Sequence, residues 1–243
     1  MKLFRKSRFS KLKQNKIASY LVYAIGEIFL VVLGILIAVY INNKNEERQK
    51  EKELKNIFYI IKNDLLNDIK EAKEIVLIEE NKKELYHSFF SNKLTVEDYK
   101  ENYQLRKLIF GYFEISFNRR GFNLLNEFKN IDKSKDSLII KSIELYTHRI
   151  DEVIADDELR DIEFKETFNY WKSQDWWFDY LNNISNKDSF NSKEFIDYVL
   201  NSKDYRNRVS SWHFVNKFAF IPELERFIEE AEEIVEIIAL RKK

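Results

Sequence analysis

Residues 20–41 read YLVYAIGEIFLVVLGILIAVYI, twenty-two positions in which Glu27 is the only charge. At about 1.5 Å per residue a helix of that length reaches roughly 33 Å, enough for a hydrocarbon core of about 30 Å. In lipid every backbone N–H and C=O must be paired within the segment, and the run has no proline to interrupt a helix. Tyr20, Tyr23 and Tyr40 lie near its ends, where amphipathic rings prefer the interface. A cleaved signal peptide would have an apolar region of about 7–15 residues followed by a small-x-small site. This run is longer, and Ala38-Val39-Tyr40 is a poor cleavage sequence. The expectation is a signal-anchor and a single pass.

Residues 1–19 carry Lys2, Arg5, Lys6, Arg8, Lys11, Lys13 and Lys16 and no acid. Positive charge in short flanks sets orientation, so the N-terminus is expected in the cytoplasm of an inner membrane and the bulk of the chain in the periplasm. Lys44, Arg48, Lys50, Lys52 and Lys55 follow the span, interspersed with Glu46, Glu47, Glu51 and Glu53, and soften that contrast. Leu3, Phe4, Phe9 and Leu12 among the cations suit either an interfacial helix on anionic lipid or a solvated tail.

Within the span, Ala24, Glu27, Val31, Gly34 and Ala38 recur at spacings of three and four and share one face, with Gly26 beside it. Gly34 and Ala38 form a small-xxx-small pair that lets a second helix approach. A carboxylate at this depth costs about 2.5–3.5 kcal/mol on insertion scales, so Glu27 needs a partner, a proton or the interface. Three readings follow: a hydrogen bond between helices, a proton or ion relay, and a tolerated residue near the headgroups. A relay needs further polar groups in the membrane, which this chain does not supply.

The stretch YLVYAIGEIFLVVLGILIAVYINNKNEER, after the basic start Phe4-Arg5-Lys6-Ser7-Arg8, resembles the N-terminal signature of DUF6090, a family of uncharacterised Bacteroidota membrane proteins. The resemblance rests on Tyr20, Tyr23, Ala24, Gly26, Glu27, Gly34, Ala38, Asn42, Asn43, Asn45 and Glu46. Tyr40 stands where the family often has Gln, and Lys44 where it often has Trp. The match covers about residues 1–55. It implies an inner-membrane protein with a helical extramembrane domain and names no reaction.

The chain has four glycines and one proline, two of the glycines within the span, which argues for long helices and against sheets. Formal net charge is zero with acids and bases mixed, so the footprint of a nucleic-acid binder is missing. Without cysteine there are no disulfides, thiolate nucleophiles or thiolate metal ligands. The fold expected is all-α: a transmembrane helix continuing into a long helix, then a helical bundle. Its parts are a basic segment at 1–19, the span at 20–41, a juxtamembrane helix at 42–90 and a helical domain at 91–243 that packs on it.

Leu54, Phe58, Ile61, Leu65, Ile69, Ala72 and Val76 keep helical spacing as a packing seam, with Asp64, Asn67 and Asp68 taken as polar flanks. Ser91-Asn92-Lys93 breaks the helix, Thr95 starts a second over about 96–115, and residues 116–122 read as a junction in which Arg119 and Arg120 are possible ligand contacts. A polar turn at 132–136 and a Ser137 cap lead into the next helix, where Glu144, His148, Asp151 and Glu152 form a solvated stripe more readily than an acid–base or metal site. His87 and His213 lack a ligand signature, and no glycine-flanked serine elbow occurs. Aromatics from Phe164 to Tyr180 suit a core cluster, residues 182–192 a polar loop, and Pro222 the first turn of a final helix.

No catalytic residue, metal ligand or cofactor is expected. The reading is a membrane-anchored interaction or scaffold protein that self-associates or meets another membrane protein through its span; the alternative is a periplasmic ligand-binding or sensory module. The lipid bilayer is the expected partner, and nucleic acid is not.

Overall fold

The computed structural model describes residues 3–129, 136–184, 190 and 192–241, with side chains from residue 20 onward. Parts of the two polar turns expected at 132–136 and 182–192 fall outside the described residues, as do the side chains of the basic segment. The chain is all-helical, an N-terminal apolar helix followed by a bundle. It divides into two compact units, residues 1–56 and 57–243, each considered by itself.

The first unit is helical from Leu3 as part of α1 (Leu3–Asn81). In the second, the 57–81 part of α1 buries Phe58, Ile61, Leu65, Ile69, Ala72 and Ile75. Asp68 lies in the same stripe and is 1% exposed, which corrects its placement on a polar flank. The helix stops at Asn81 rather than near Phe90. Lys82 forms a turn held by its N–H on Glu79 O at 3.1 Å, and α2 (Lys83–Phe90) follows.

Thr95 starts α3 (Val96–Glu101) with a capping box: Asp98 N–H donates to Thr95 Oγ1 at 3.3 Å and Thr95 N–H to Asp98 Oδ2 at 2.7 Å. The helix expected to run to 115 ends at Glu101; a single 3₁₀ turn (Leu105–Lys107) and an irregular segment to Arg119 replace it. Side chains elsewhere take over the backbone partners a helix would supply. Ile115 N–H donates to Asp157 at 3.4 Å and Asn118 N–H to Asp68 at 3.1 Å, while Arg106 O and Leu108 O accept Tyr180 Oη and Tyr86 Oη at 2.9 and 3.2 Å.

The segment then enters α4 (Arg120–Glu127), whose first turn lies on α1. Gly121 N–H, one of the donors a helix start leaves without an internal partner, donates to Asp64 Oδ2 at 2.8 Å. A Cβ at Gly121 would meet Ile61 N at 2.7 Å and Ile61 Cα at 2.8 Å.

Two rods complete the bundle. The first joins α5 (Ser137–Glu144), a π turn (Leu145–Arg149) and α6 (Ile150–Lys172). Asp136, not Ser137, caps it, accepting from Leu138 N–H at 3.0 Å and Ile139 N–H at 3.4 Å. After α7 (Trp177–Asn183) and α8 (Lys193–Asn201), the second rod joins α9 (Lys203–Phe214), a π turn (Val215–Phe220) and α10 (Ile221–Arg241). Pro222 therefore does not open a new helix. Proline lacks an N–H and its ring presses on the carbonyl four residues back, and the wider turn just before it, closed by Ile221 N–H on Asn216 O, takes up that conflict.

α10 packs against α5, α6 and the first π turn, and its Glu232 accepts from Lys73 of α1 at 2.6 Å. Trp171, Trp176, Tyr180, Phe195, Tyr205 and Trp212 build an aromatic core with α2, α3 and α8, as the density of rings at 164–180 suggested.

Gly121→Ala should lower stability by about 1–3 kcal/mol, because the new methyl meets helix backbone that cannot turn aside. Gly111→Ala is the matched control: its Cβ would meet only the end of the Lys82 side chain, at 2.6 Å from Nζ. Urea midpoints of the two variants check this; equal losses would refute the close approach as the cause.

Candidate functional site

Every residue from 20 to 49 is exposed. An 18-residue window there has a mean hydropathy of 2.6 and none of it is buried by protein, so the helix is long and apolar enough to cross a membrane. Ala24, Glu27, Val31, Gly34 and Ala38 fall along one open face. Gly26 and Gly34 have no atom within 4 Å of where a Cβ would stand, and Val22, Tyr23, Gly26, Glu27, Phe29 and Leu30 line a shallow notch at the carboxylate.

In the second unit Arg119 and Arg120 part company. Arg119 Nη2 donates to Asp151 Oδ1 at 2.7 Å and Nη1 to Tyr146 O at 3.4 Å, clamping the start of α4 to the first π turn. Arg120 is exposed. Beneath them Asp64 and Asp68, one helical turn apart, hold the backbone of 118–121, and Asn118 Nδ2 adds a 2.5 Å bond to Asp68. Burial pushes the Asp68 carboxyl up to about 6 against the two Asn118 bonds, with Asp64 and Glu71 adding like charge. Arg119 is thus engaged by protein partners, while Arg120 stays exposed.

The Glu144–His148–Asp151–Glu152 stripe is interrupted by the first π turn. Each helical residue advances about 100°, so one extra residue rotates the later positions off the face. Asp151 bonds Arg119 and Glu152 accepts from Arg149 at 2.5 Å, while Glu144 and His148 are exposed. Among the described residues no group of three or more His, Asp or Glu is placed to hold a metal. His87 is exposed, and His213 is half-buried with its ring 4.2 Å from that of Tyr86.

The charged centre of the bundle was not singled out in advance. Arg160, fully buried, donates through Nη1 to Asp157 Oδ1 at 2.5 Å and Phe113 O at 3.4 Å, and through Nε to Asn216 Oδ1 at 2.9 Å. Its guanidinium lies 3.8 Å from the Phe220 ring centroid. Asp157 Oδ2 accepts from Tyr112 Oη at 3.3 Å and Ile115 N–H at 3.4 Å. Asn216, in the second π turn, donates back to Trp212 O at 2.8 Å. Burial lowers the Arg160 pKa and raises that of Asp157, each opposed by the other's charge. The sequence signal was there: Val153, Asp157, Arg160, Phe164, Thr167 and Trp171 keep one helical register, so a charged pair stands within an apolar stripe. The pair joins α6, the irregular segment and the second π turn, a structural task.

Two predictions follow from these carboxylates. Arg160→Met leaves Asp157 buried without its cation and should cost about 3–5 kcal/mol; adding Asp157→Asn should recover part of that, and a double variant no better than the single would refute pairing as the cause. For Asp68 the folded state holds a proton more firmly than the unfolded chain, so this residue's contribution falls as pH rises from about 4 to about 6, on the order of 3 kcal/mol in total. Subtracting the urea stability of Asp68→Asn from that of the parent at each pH should give a curve that declines across this window; a flat difference would contradict the burial.

The model of a family of unknown function, DUF6090, matches residues 27–202, from Glu27 in the apolar helix to the Ser202 cap of α9. No curated protein and no solved structure matches the chain. With well over half of its length covered, the chain belongs to the DUF6090 family.

Proposed function

We propose that this protein is a membrane-anchored helical interaction module whose apolar helix crosses the inner membrane and associates with a second copy through the Ala24, Glu27, Val31, Gly34 and Ala38 face. The observation that carries the reading is the uncovered apolar helix of residues 20–41. Apolar area in water costs roughly 25 cal/mol per Å², and none of the described residues shields this segment, so a bilayer is the natural solvent for it. Within lipid the same argument reverses at Glu27. The carboxylate needs a polar partner, and the open surface at Gly34 and Ala38 lets another helix come close enough to provide one. The basic residues before the span support a cytoplasmic N-terminus and a periplasmic domain.

The sensory alternative has less to draw on. Arg119 is engaged by Asp151, and most rings of the 164–180 region pack into the core or against it rather than lining a cavity.

The missing cysteines make the test direct. Single substitutions Ala38→Cys, on the face, and Val39→Cys, off it, are oxidised in native membranes after carbonate washing. Disulfide dimers at 38 and not at 39 are expected; equal or no cross-linking at both positions would overturn the self-associating face, and release of the chain by carbonate would overturn the anchor.

A further inference from the structure

Residues 205–222 contain no Asp or Glu. Outside residues 1–45 this is the longest acid-free run in the chain, and at the average of 41 acids in 243 residues about three would fall there. The run covers most of α9 and the whole second π turn, which lie C-terminal to the family match. Its buried side belongs to the bundle, with Tyr205, Val209, Trp212, Asn216 and Phe220.

The opposite side carries Phe214 and Phe218, 62% and 61% exposed, with ring centroids 5.3 Å apart. They are four residues apart in sequence, exposed Lys217 lies 5.3 Å from the Phe218 ring centroid, and exposed Arg206 and Lys203 lie about two and three turns earlier on the same helix. Asp204, just before the run, is taken up by Arg208 at 2.8 Å and Tyr198 at 2.6 Å. Two uncovered aromatic rings with cations along the same rod and no acid between Asp204 and Glu223 are the chemistry of a helix that lies in a headgroup layer. The rings enter the acyl boundary while the cations meet lipid phosphates.

We propose that this outward face of α9 and its π turn contacts an anionic lipid surface. The proposal rests on the membrane-anchored reading, because a domain tethered to a bilayer meets headgroups at high effective concentration and needs little intrinsic affinity. Charge selects lipid over a second copy: two such faces would bring like charges together, whereas a phosphate layer complements them.

The experiment uses the full chain with Ser211→Cys, an exposed position beside the rings, labelled with a polarity-sensitive fluorophore. It is reconstituted into neutral phosphatidylcholine vesicles and into vesicles with about 30 mol% phosphatidylglycerol, each with and without doxyl-labelled lipid. Flotation first reports whether the chain is in the bilayer. The expected result is blue-shifted emission and roughly twofold stronger doxyl quenching in the anionic vesicles. That gain should be lost in Phe214→Ser/Phe218→Ser and reduced in Lys217→Glu, with helicity unchanged in both. A chain that floats but whose label is quenched equally weakly in both vesicles overturns the lipid contact alone. A spectral change that follows protein density rather than lipid charge also overturns it, in favour of a second copy. A chain that does not float overturns the anchored reading and this proposal together.

Discussion

The centre of the bundle depends on solvating a buried cation, Arg160. A guanidinium removed from water loses several kcal/mol of hydration, and the protein must return it through hydrogen bonds of good geometry. Arg160 obtains them from three separate parts of the chain: Asp157 on its own helix, Phe113 O in the irregular segment and Asn216 in the second π turn. Each donor or acceptor fixes the element it comes from. Segment 108–119 stays irregular because carbonyls and amides along it are taken by side chains, not by a helix ladder. The π turn is placed so that Asn216 faces inward between Trp212 and Arg160, and it also admits Pro222 into an unbroken rod.

The same accounting explains the approach of α4 to α1. Two carboxylates one turn apart receive the amides of residues 118 and 121, and the missing side chain at Gly121 lets the backbones meet. A helix start capped from a remote helix is tertiary structure built from a local need. The charge left on Asp68 in that seam makes this part of the bundle sensitive to acid in a direction opposite to that of an ordinary paired carboxylate.

Outside the bundle the physics inverts. The domain hides its charges among apolar side chains and satisfies them internally, while the N-terminal helix exposes its apolar surface along residues 20–41 and leaves one acid with no protein around it. The buried Arg160, Asp157 and Asp68 find their partners within the bundle, whereas Glu27 has none there, and the proposed functions of this chain lie on its uncovered surfaces: the helix with Glu27 and the cationic aromatic face of α9.

All-helical architecture, the length of the apolar segment, the seam of Phe58 to Ala72 and the Thr95 start were legible in the sequence, because composition, 3.6-residue periodicity and capping chemistry act over a few neighbouring residues. The irregular segment after Glu101 was not, since residues such as Tyr103, Leu108 and Ile109 look as suited to a helix as to their actual place; what removes the helix is a set of partners at Asp68, Asp157, Tyr86 and Tyr180, far away in the chain. Nor did Asp68, Asp157 and Arg160 declare themselves, although each interrupts an apolar register, because a charge in a stripe can be buried only if another element brings its counterpart. Local sequence determined which segments are helical and which face of each is apolar. Only tertiary structure decided where the π turns fall, which charges lie inside and which rings remain uncovered, because those outcomes depend on hydrogen-bond partners and excluded volume that distant segments supply.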